Sequence, residues 1–459
     1  MSVGTNRNSG GTGVLLSFCI TILISSFLIF QVQPLISKYI LPWFGGTPGV
    51  WTTCMLFFQV VLFAGYAYAH FLIAKLPIRA QFLVHMALLV GGLSLLPISP
   101  NPAWAPQGNQ NPTIRILGLL AGSVGLPYFL LSSTGPLLQA WFSRRTGHGN
   151  PYWLYALSNI GSLAGLITYP FFFEPLLPVD AQVRLWSYSF AGFAVFCAGC
   201  AVLASQRRDA LSADPAAMGV GTEAGLAPPV AEALPIRFAA AAPSSMDRFL
   251  WFFLAASAST LLLATTNQVC LDIAVIPFLW VLPLTLYLLS FILCFGPRWC
   301  YPRPLFLLLF ILSLAGMVRM MYIGTNASLI AQVLIYFVGL FVCCMVCHGE
   351  MVQLKPPPAY LTSFYLWSSA GGAAGGILVG LIAPHVFNRY IELHIGLGAC
   401  CLSVLLAYYR GEVSPFGGEL VRQPGSTGVP GQSTVVDQIQ RWAFVVLVSE
   451  GLGLIILLW

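Results

Sequence analysis

The chain has 459 residues, of which 58% are hydrophobic and 7% are charged, and its formal net charge is +6. Soluble domains carry about 25% charged residues, so this composition excludes an ordinary soluble protein. Apolar runs of about 18–25 residues recur along the sequence, and each is long enough to cross a bilayer. No basic tract interleaved with aromatic residues is present, which argues against a nucleic acid partner.

Thirteen membrane-spanning helices are predicted from these apolar runs. The first run lacks a small-residue cleavage site and continues directly into Gln31, so it is interpreted as a retained span and not as a signal peptide. The predicted spans are residues 14–36, 50–74, 81–98, 115–142, 153–175, 183–205, 248–268, 274–296, 304–324, 328–353, 361–386, 391–409 and 441–458. They predict an all-α polytopic membrane protein in contact with the lipid bilayer.

A polar, Ala- and Pro-rich segment, residues 206–247, divides the first twelve spans into two groups of six. Its composition is typical of a linker. The expected units are therefore an N-terminal membrane half, 1–205, and a C-terminal membrane half, 248–409. A polar tail, 410–440, and one extra transmembrane helix, 441–459, follow them.

Basic residues are distributed unequally between the two sides of the predicted bundle. With the N-terminus in the cytoplasm, about fifteen Lys and Arg residues fall on the cytoplasmic side and about five fall on the outer side. This asymmetry predicts a cytoplasmic N-terminus and a cytoplasmic linker. After an odd thirteenth span, the C-terminus is expected outside.

An internal repeat relates the two predicted halves. Residues 154–165 (LYALSNIGSLAG) align with 364–375 (FYLWSSAGGAAG) at a constant offset of 210, sharing a Tyr, a Ser and two Gly. Three further pairs have an offset of 235: Gln33 with Gln268, Pro42 with Pro277, and Pro48 with Pro283. Two six-helix units repeated in the same orientation are the plan of major-facilitator-like transporters, which bind substrate at the repeat interface near the midplane.

The stretch Phe341–Pro384 combines ionisable and small residues at hydrocarbon depth. His348 and Glu350 end a long apolar run, where ionisable groups are costly and are functional candidates. Because they are two residues apart on a helix, they do not share a face. Each is predicted to bind a solute or ion, and an interfacial or capping role is the alternative. Gly371 and Gly375 lie four residues apart, a spacing that lets another helix approach closely.

A carboxylate and two amides cluster between the seventh and eighth predicted spans. Asp272 follows Asn267 and Gln268, and Pro277 and Pro283 interrupt the apolar run after it. Backbone carbonyls freed by proline are tolerated at membrane depth only where protein or a water-filled cavity satisfies them. The cluster is predicted to coordinate a cation, an amine or a proton. A loop carboxylate in water is the alternative.

Two further amides complete the predicted binding set. The pairing of Gln33 with Gln268 predicts that both amides line a central cavity, while capping of two interfacial turns is the alternative. Asn159 lies inside the fifth span as the repeat partner of Ser369. It is a candidate ligand-binding residue, and interhelical hydrogen bonding is the competing interpretation.

No catalytic residue, metal site or cofactor is predicted. Cys344, Cys347 and His348 have the spacing of covalent haem attachment, but they lie within an apolar helix near the predicted cytoplasmic side. One helix cannot arrange such side chains around a tetrahedral metal ion. The motifs GxSxG, GxxxxGK[ST] and HExxH are absent. These absences argue against ATP-driven transport and against hydrolysis by this chain alone.

Three blocks, residues 30–59, 262–295 and 347–376, resemble a bacterial family of membrane-bound spermidine-synthase-like proteins. In that family a major-facilitator-like membrane part is often followed by a soluble aminopropyltransferase-like domain. The resemblance covers most of 14–408 and implies the membrane module in a bacterial inner membrane. After about residue 410 no Gly-rich strand-to-helix turn followed by an acidic residue occurs, so spermidine synthesis is not implied.

Two functions of different classes fit these observations. The first is a secondary-transporter-like protein that handles a small polar or cationic solute between the two halves. The second is a non-catalytic membrane subunit that scaffolds a larger complex or a partner enzyme, with Trp442–Trp459 as the docking helix. An intramembrane enzyme that uses His348, Glu350 and a cysteine is a third hypothesis.

Overall fold

The structure is a computed structural model that describes residues 9–45, 48–101, 105, 112–146, 151–205, 242–272, 278–387, 390–413 and 453. These residues are almost entirely helical, and no strand occurs among them. We number twelve long helices in chain order: α1 Ser9–Phe44, α2 Pro48–Lys75, α3 Ile78–Ser94, α4 Pro112–Thr146, α5 Trp153–Leu176, α6 Val179–Ser205, α7 Ser245–Asp272, α8 Phe278–Phe295, α9 Arg303–Ile323, α10 Leu329–Gln353, α11 Pro358–Val386 and α12 Glu392–Val413.

The predicted all-α membrane architecture is confirmed. Ten helices of the described part are long and apolar enough to cross a membrane, and two shorter apolar helices, Ile78–Ser94 and Val281–Phe295, accompany them. Most of the predicted linker, the polar tail and the predicted thirteenth helix lie outside the described residues.

The first helix is longer than its predicted span of 14–36. It runs through Pro34 and Pro42, and the chain first breaks at Gly45, whose φ of 79° suits glycine. Proline cannot donate to the carbonyl four residues earlier, but a neighbouring helix or a polar cavity can satisfy such a group at membrane depth. Proline in a packed membrane helix therefore does not by itself mark the end of the helix, and α1 continues past both prolines.

Three helices contain a π-helical turn. These turns are Ala121–Gly125 in α4, Tyr169–Phe173 in α5 and Leu378–Ile382 in α11. The turns of α5 and α11 occupy nearly equivalent positions in the two halves. Because π-helical turns widen a helix locally and are frequent at functional sites, their recurrence supports a shared helix geometry in the two halves.

Each half is assembled by the same close contact between its first and fifth helices. The repeated glycines of α5 and α11 lie against backbone carbonyls of α1 and α7, where an added Cβ has no room. The contacting pairs are Gly161 with Leu23, Gly165 with Phe27, Gly371 with Phe252, and Gly375 with Ala256. The glycines four residues apart thus let a second helix approach closely, as the sequence predicts.

These contacts correct the register of the repeat for the first helices. Leu23 and Phe27 of α1 occupy the positions of Phe252 and Ala256 in α7, which gives an offset of 229 and not 235. The cause is an ambiguity in the proline pattern, because each half has two prolines six residues apart. In the register that the packing shows, Pro48 corresponds to Pro277. The partner of Gln33 is then Leu262, and Gln268 is not its equivalent.

The two halves meet along two crossed helix pairs. Helix α2 packs against α11, and α5 packs against α8, as expected for two units related by an axis along the bundle. Buried apolar clusters fill each half, and the cluster of the C-terminal half extends to Tyr152 and Ala156 of the N-terminal half. We call the end of the bundle that carries Ser205 and Ser245 the linker end and the opposite end the far end.

Candidate functional site

A cavity of about 180 Å³ lies between the two halves. Its walls come from α1, α2, α4 and α5 on one side and from α7, α8 and α11 on the other. The polar residues that line it are Ser25, Ser26, Gln33, Gln59, Ser132, Ser158, Asn159, Ser162, Ser259, Ser368 and Ser369. The aromatic residues are Phe30, Phe58, Tyr66, Tyr128, Tyr155, Tyr287 and Phe291. Both sets can contact one small solute at the interface.

The lining carries hydrogen-bonding groups but no charge. Among the residues described at this cavity, none is Asp, Glu, Lys, Arg or His. An ion moved from water into such a site loses hydration that nothing opposite in charge replaces, whereas hydroxyl and amide groups can satisfy a neutral polar solute. The described lining therefore offers hydroxyl and amide groups for hydrogen bonds and no partner for an ion pair.

The two walls differ in polarity although their helices are equivalent. At the offset of 229, two amides and a serine of the N-terminal half correspond to apolar residues of the C-terminal half: Gln33 corresponds to Leu262, Gln59 to Leu288 and Ser26 to Ala255, whereas Phe30 corresponds to Ser259. More of the Ser, Gln and Asn side chains of the lining therefore come from the N-terminal half than from the C-terminal half.

Gln33 is held in the cavity wall by a tyrosine of α4. Its Nε2 donates to the hydroxyl oxygen of Tyr128 at 3.1 Å, and Tyr128 itself is buried. The neighbouring Gln31 points elsewhere, because its Nε2 donates to the carbonyl of Gly165 at 2.9 Å. The structure therefore places Gln33, but not Gln31, on the cavity.

Asn159 also lies on the cavity. Its Nδ2 donates to the carbonyl of Tyr155 in its own helix at 2.8 Å. At the preceding residue, the hydroxyls of Ser158 and Ser26 are 2.7 Å apart and connect α5 to α1. The hydrogen bond between helices at this level is thus made by two serines, and the side-chain oxygen of Asn159 is available to a solute.

Two repeat-equivalent tyrosines close the cavity toward the linker end. The rings of Tyr155 and Tyr365 stack with centroids 4.9 Å apart and planes 18° apart. The hydroxyl of Tyr365 donates to Oε1 of Gln139 at 2.8 Å, which joins the C-terminal half to α4. The ring of Tyr66 makes an edge contact with Tyr365. These contacts form an aromatic floor at the symmetry axis.

Two further hydrogen bonds join the halves beyond this floor. The hydroxyl of Tyr152 donates to the carbonyl of Pro356 at 2.7 Å, and Nδ1 of His70 lies 3.0 Å from Oγ1 of Thr362. The ammonium of Lys355 lies over the ring of Tyr152, 5.5 Å from its centroid. In this structure the cavity is thus separated from the linker end by several layers of contacts between the halves.

Glu350 lies outside the cavity lining and inside the C-terminal half. Its Oε2 is 2.6 Å from Nη2 of Arg303, and its Oε1 accepts from Nε of Arg303 at 2.8 Å and from the hydroxyl of Tyr301 at 3.1 Å. The carboxylate is 1% exposed. This two-pronged ion pair favours the structural interpretation of Glu350, because a buried carboxylate needs such partners.

His348 lies directly behind the cavity wall. Its ring stacks on Phe291 with centroids 3.6 Å apart, and its Nδ1 is 2.8 Å from Oγ of Ser290. Phe291 and Tyr287, which flank the ring, line the cavity themselves. His348 therefore supports the shape of the wall without lining it.

Of the predicted cluster at the end of α7, the structure describes the side chains of Asn267 and Gln268. Asn267 lines a small pocket together with Gln59, next to the main cavity. Gln268 is half-buried and is not part of either lining. The side chain of Asp272 lies outside the described residues, although its backbone ends α7. Within the described residues no group of three or more potential metal ligands occurs.

Several residues of the site were missed by sequence reasoning. Gln59 is a single amide in the apolar run of α2, and this isolation was a usable signal. The partners of the acidic residues were harder to find. Arg410 bonds Asp247 at 3.0 Å from 163 positions away, and Lys38 bonds Glu174 at 2.8 Å. Such pairs depend on helix packing that spacing in the sequence does not reveal.

Known structures share this arrangement of helices. The human organic anion transporter MFSD10 (TETRAN) matches with a TM-score of 0.52 at 12% identity, covering 86% of this chain and 98% of that chain. The chain has the major facilitator fold. The proton:xylose symporter XylE is a further neighbour, with a TM-score of 0.49, 12% identity and coverage of 88% and 96%.

At this level of identity the likeness shows the major facilitator fold alone. No protein-family model matches the sequence, and no curated protein matches it. The resemblance to membrane-bound spermidine-synthase-like proteins therefore stays a prediction. The cavity described above lies where proteins with the major facilitator fold place their substrates, between the two halves.

Proposed function

We propose that this chain is a secondary transporter of a small, uncharged polar solute. The observation that supports the proposal is the cavity on the axis between two equivalent six-helix halves, whose described lining combines serine and amide groups with aromatic and aliphatic side chains and carries no charge. Transporters of this fold move solutes by rocking one half against the other around a fixed central site. Ser, Gln and Asn side chains on one wall would bind the solute, and Leu and aromatic side chains on the other would exclude water.

The sequence predicts a small polar or cationic solute, and the described lining favours a neutral one. A carboxylate is the side chain that best offsets the lost hydration of a buried cation, and none of the described residues lining the cavity is acidic. Glu392, a third buried carboxylate of the C-terminal half, does not line the cavity. Glu350 and Asp247 are each paired with an arginine. Both are therefore already neutralised without a solute.

The transport cycle that we propose opens the linker end. Release on that side requires separation of Tyr155 from Tyr365 and loss of the bonds from Tyr365 to Gln139 and from Tyr152 to Pro356. These are a few polar and ring contacts, each worth about 1 kcal/mol, so bound solute can offset their loss during rocking.

Flux measurements in proteoliposomes test the proposal. Purified protein is reconstituted, and uptake of radiolabelled glucose, uridine and nicotinamide is compared with uptake of cationic putrescine and anionic gluconate. We expect saturable uptake of at least one neutral probe and none of the charged probes. Saturable putrescine uptake without neutral uptake would overturn the assignment of charge. If no probe is taken up and a stoichiometric partner co-purifies in mild detergent, the scaffold function is favoured.

The remaining expectations belong to the same proposal. We place the protein in a bacterial inner membrane with its N-terminus and linker in the cytoplasm, which the distribution of basic residues supports. The relationship to membrane-bound spermidine-synthase-like proteins is proposed on the three resembling blocks. The docking role of Trp442–Trp459 falls on a segment outside the described residues and is kept as a hypothesis.

A further inference from the structure

Gln59 of α2 occupies an unusual position at the junction of two spaces. It lines the main cavity, and it also lines a small pocket of about 10 Å³ formed by α2, α7 and α11. Asn267 and Gly376 lie on the other side of that small pocket. The carboxamide of Gln59 thus separates the main cavity from the second amide of this region.

The carbonyl end of Gln59 is seated at Gly376. A Cβ added to Gly376 would overlap Oε1 of Gln59, so the carboxamide oxygen fills the place that any other residue would use for its side chain. Gly376 belongs to α11 and Gln59 to α2, which means that this seat joins the two halves. The absence of a side chain at position 376 is what allows the contact.

The seated oxygen has no hydrogen-bond donor. Oε1 of Gln59 is buried and unpaired among the described residues, whereas most buried polar atoms find a partner. An unpaired buried acceptor raises the free energy of the state that contains it. A ligand that brings an O–H or N–H into the adjacent cavity would relieve this cost, because the side chain can turn from Gly376 toward the cavity.

We propose that Gln59 is the specificity-determining residue of the central site. In the empty protein its carboxamide rests on Gly376 and closes the passage to the Asn267 pocket. When a neutral solute with an O–H or N–H donor enters, Oε1 accepts that hydrogen bond and leaves the seat. The contact between α2 and α11 at this level is thereby released. The identity of the ligand in this inference rests on the proposed function. The contact of Gln59 with Gly376 does not depend on that function.

The seat can be tested without any solute. The thermal unfolding midpoint of the detergent-solubilised protein is measured for wild type, Gly376→Ala, Gln59→Ala and the double variant. We expect Gly376→Ala to lower the midpoint when Gln59 is present and to have no such effect in the Gln59→Ala background. Gly398→Ala is the matched control, because a Cβ added there meets nothing within 4 Å. An equal effect of Gly376→Ala in both backgrounds would overturn the seat.

The hydrogen bond to solute is tested with Gln59→Leu, which keeps the side-chain size and removes the acceptor. Half-saturation concentrations are measured for glucose, uridine and nicotinamide, whichever the wild type takes up. We expect a rise of about tenfold for that probe, the loss of one hydrogen bond in a buried site. The unliganded variant should also unfold at a higher temperature, since its unpaired oxygen is gone. An unchanged half-saturation concentration would overturn the specificity role.

The two measurements separate the possible failures. If no probe is transported by the wild type, the proposed function fails, while the unfolding cycle still decides whether Gln59 is seated on Gly376. If the wild type transports a neutral probe and Gln59→Leu transports it with the same half-saturation concentration, only the present inference fails.

Discussion

At the scale of single residues, the polar groups of this protein divide into two classes. Gln33 and Asn159 keep part of their hydrogen-bonding capacity directed at the cavity, with each Nδ2 or Nε2 bound to one protein oxygen. The buried carboxylates of Glu350 and Asp247 instead have their oxygens bound by arginine. In the proposed function, solute recognition and structural support therefore fall to different side chains, which mutations can separate.

Replacement of Gln33 by Leu is expected to weaken solute binding. The change removes one hydrogen-bonding group from the polar wall, so the half-saturation concentration of a transported neutral probe should rise about tenfold. Because Gln33 is part of the cavity wall, its replacement can also affect folding. The apparent unfolding temperature of the variant is therefore measured as a control. If the half-saturation concentration stays at the wild-type value, Gln33 is a wall residue without a solute contact.

Replacement of Glu350 by Gln is expected to damage stability and to leave binding intact. The variant leaves the Arg303 guanidinium, which is 27% exposed, without its carboxylate, and breaking such a pair costs about 3 kcal/mol. The chemical denaturation midpoint should fall, and Arg303→Gln in addition should restore part of the loss. A stable Glu350→Gln variant that no longer transports would instead support the ligand role predicted from the sequence.

At the scale of helices, the glycines of α5 and α11 set the distance to the first helix of each half. Gly165 lies against the carbonyl of Phe27, and Gly371 lies against that of Phe252. The same contact therefore holds both halves together, and it brings Tyr155 and Tyr365 to the symmetry axis where they stack. Close packing of small residues is the main source of helix association where lipid offers no hydrophobic advantage.

Alanine at Gly165 or Gly371 is expected to destabilise the protein by about 1–3 kcal/mol, because the methyl forces the helices apart. Gly192→Ala in α6 is the control, since nothing lies within 4 Å of its added Cβ and alanine favours helix. Unfolding temperatures in detergent provide the comparison. Equal stability of all three variants would show that the helices can separate without cost.

At the scale of the whole molecule, much of the architecture was predictable from composition and small-residue spacing. The twelve described helices correspond to predicted spans, because hydrophobic length is a local property. The offset of 210 between α5 and α11 was also correct, because a glycine in contact with the backbone of another helix cannot be replaced by a larger residue and so marks equivalent positions. The offset of 235 for the first helices was not, because two prolines six residues apart match in two registers.

The binding site was less predictable than the fold. Gln33 and Asn159 are predictable as isolated amides in apolar runs, and all of Gln33, Asn159 and Gln59 line the cavity. Gln59 is also an isolated amide in an apolar run, but it was not among the predicted site residues. Glu350 was predicted to bind a solute or ion because a charged group within the membrane is energetically costly. Its charge is paired with Arg303, which begins another helix. Whether a buried charge is free or paired depends on tertiary packing, which one sequence does not contain.

The central claim is that the uncharged cavity between the halves binds the transported solute. Counterflow in proteoliposomes tests it most directly, with labelled glucose, uridine, nicotinamide and putrescine exchanged against the same unlabelled compound. For the wild type we predict exchange of a neutral probe, with strong loss in the Gln33→Leu, Asn159→Ala double variant and retained exchange per folded protein in Glu350→Gln. Exchange of putrescine that survives the double variant and disappears in Glu350→Gln would contradict the account.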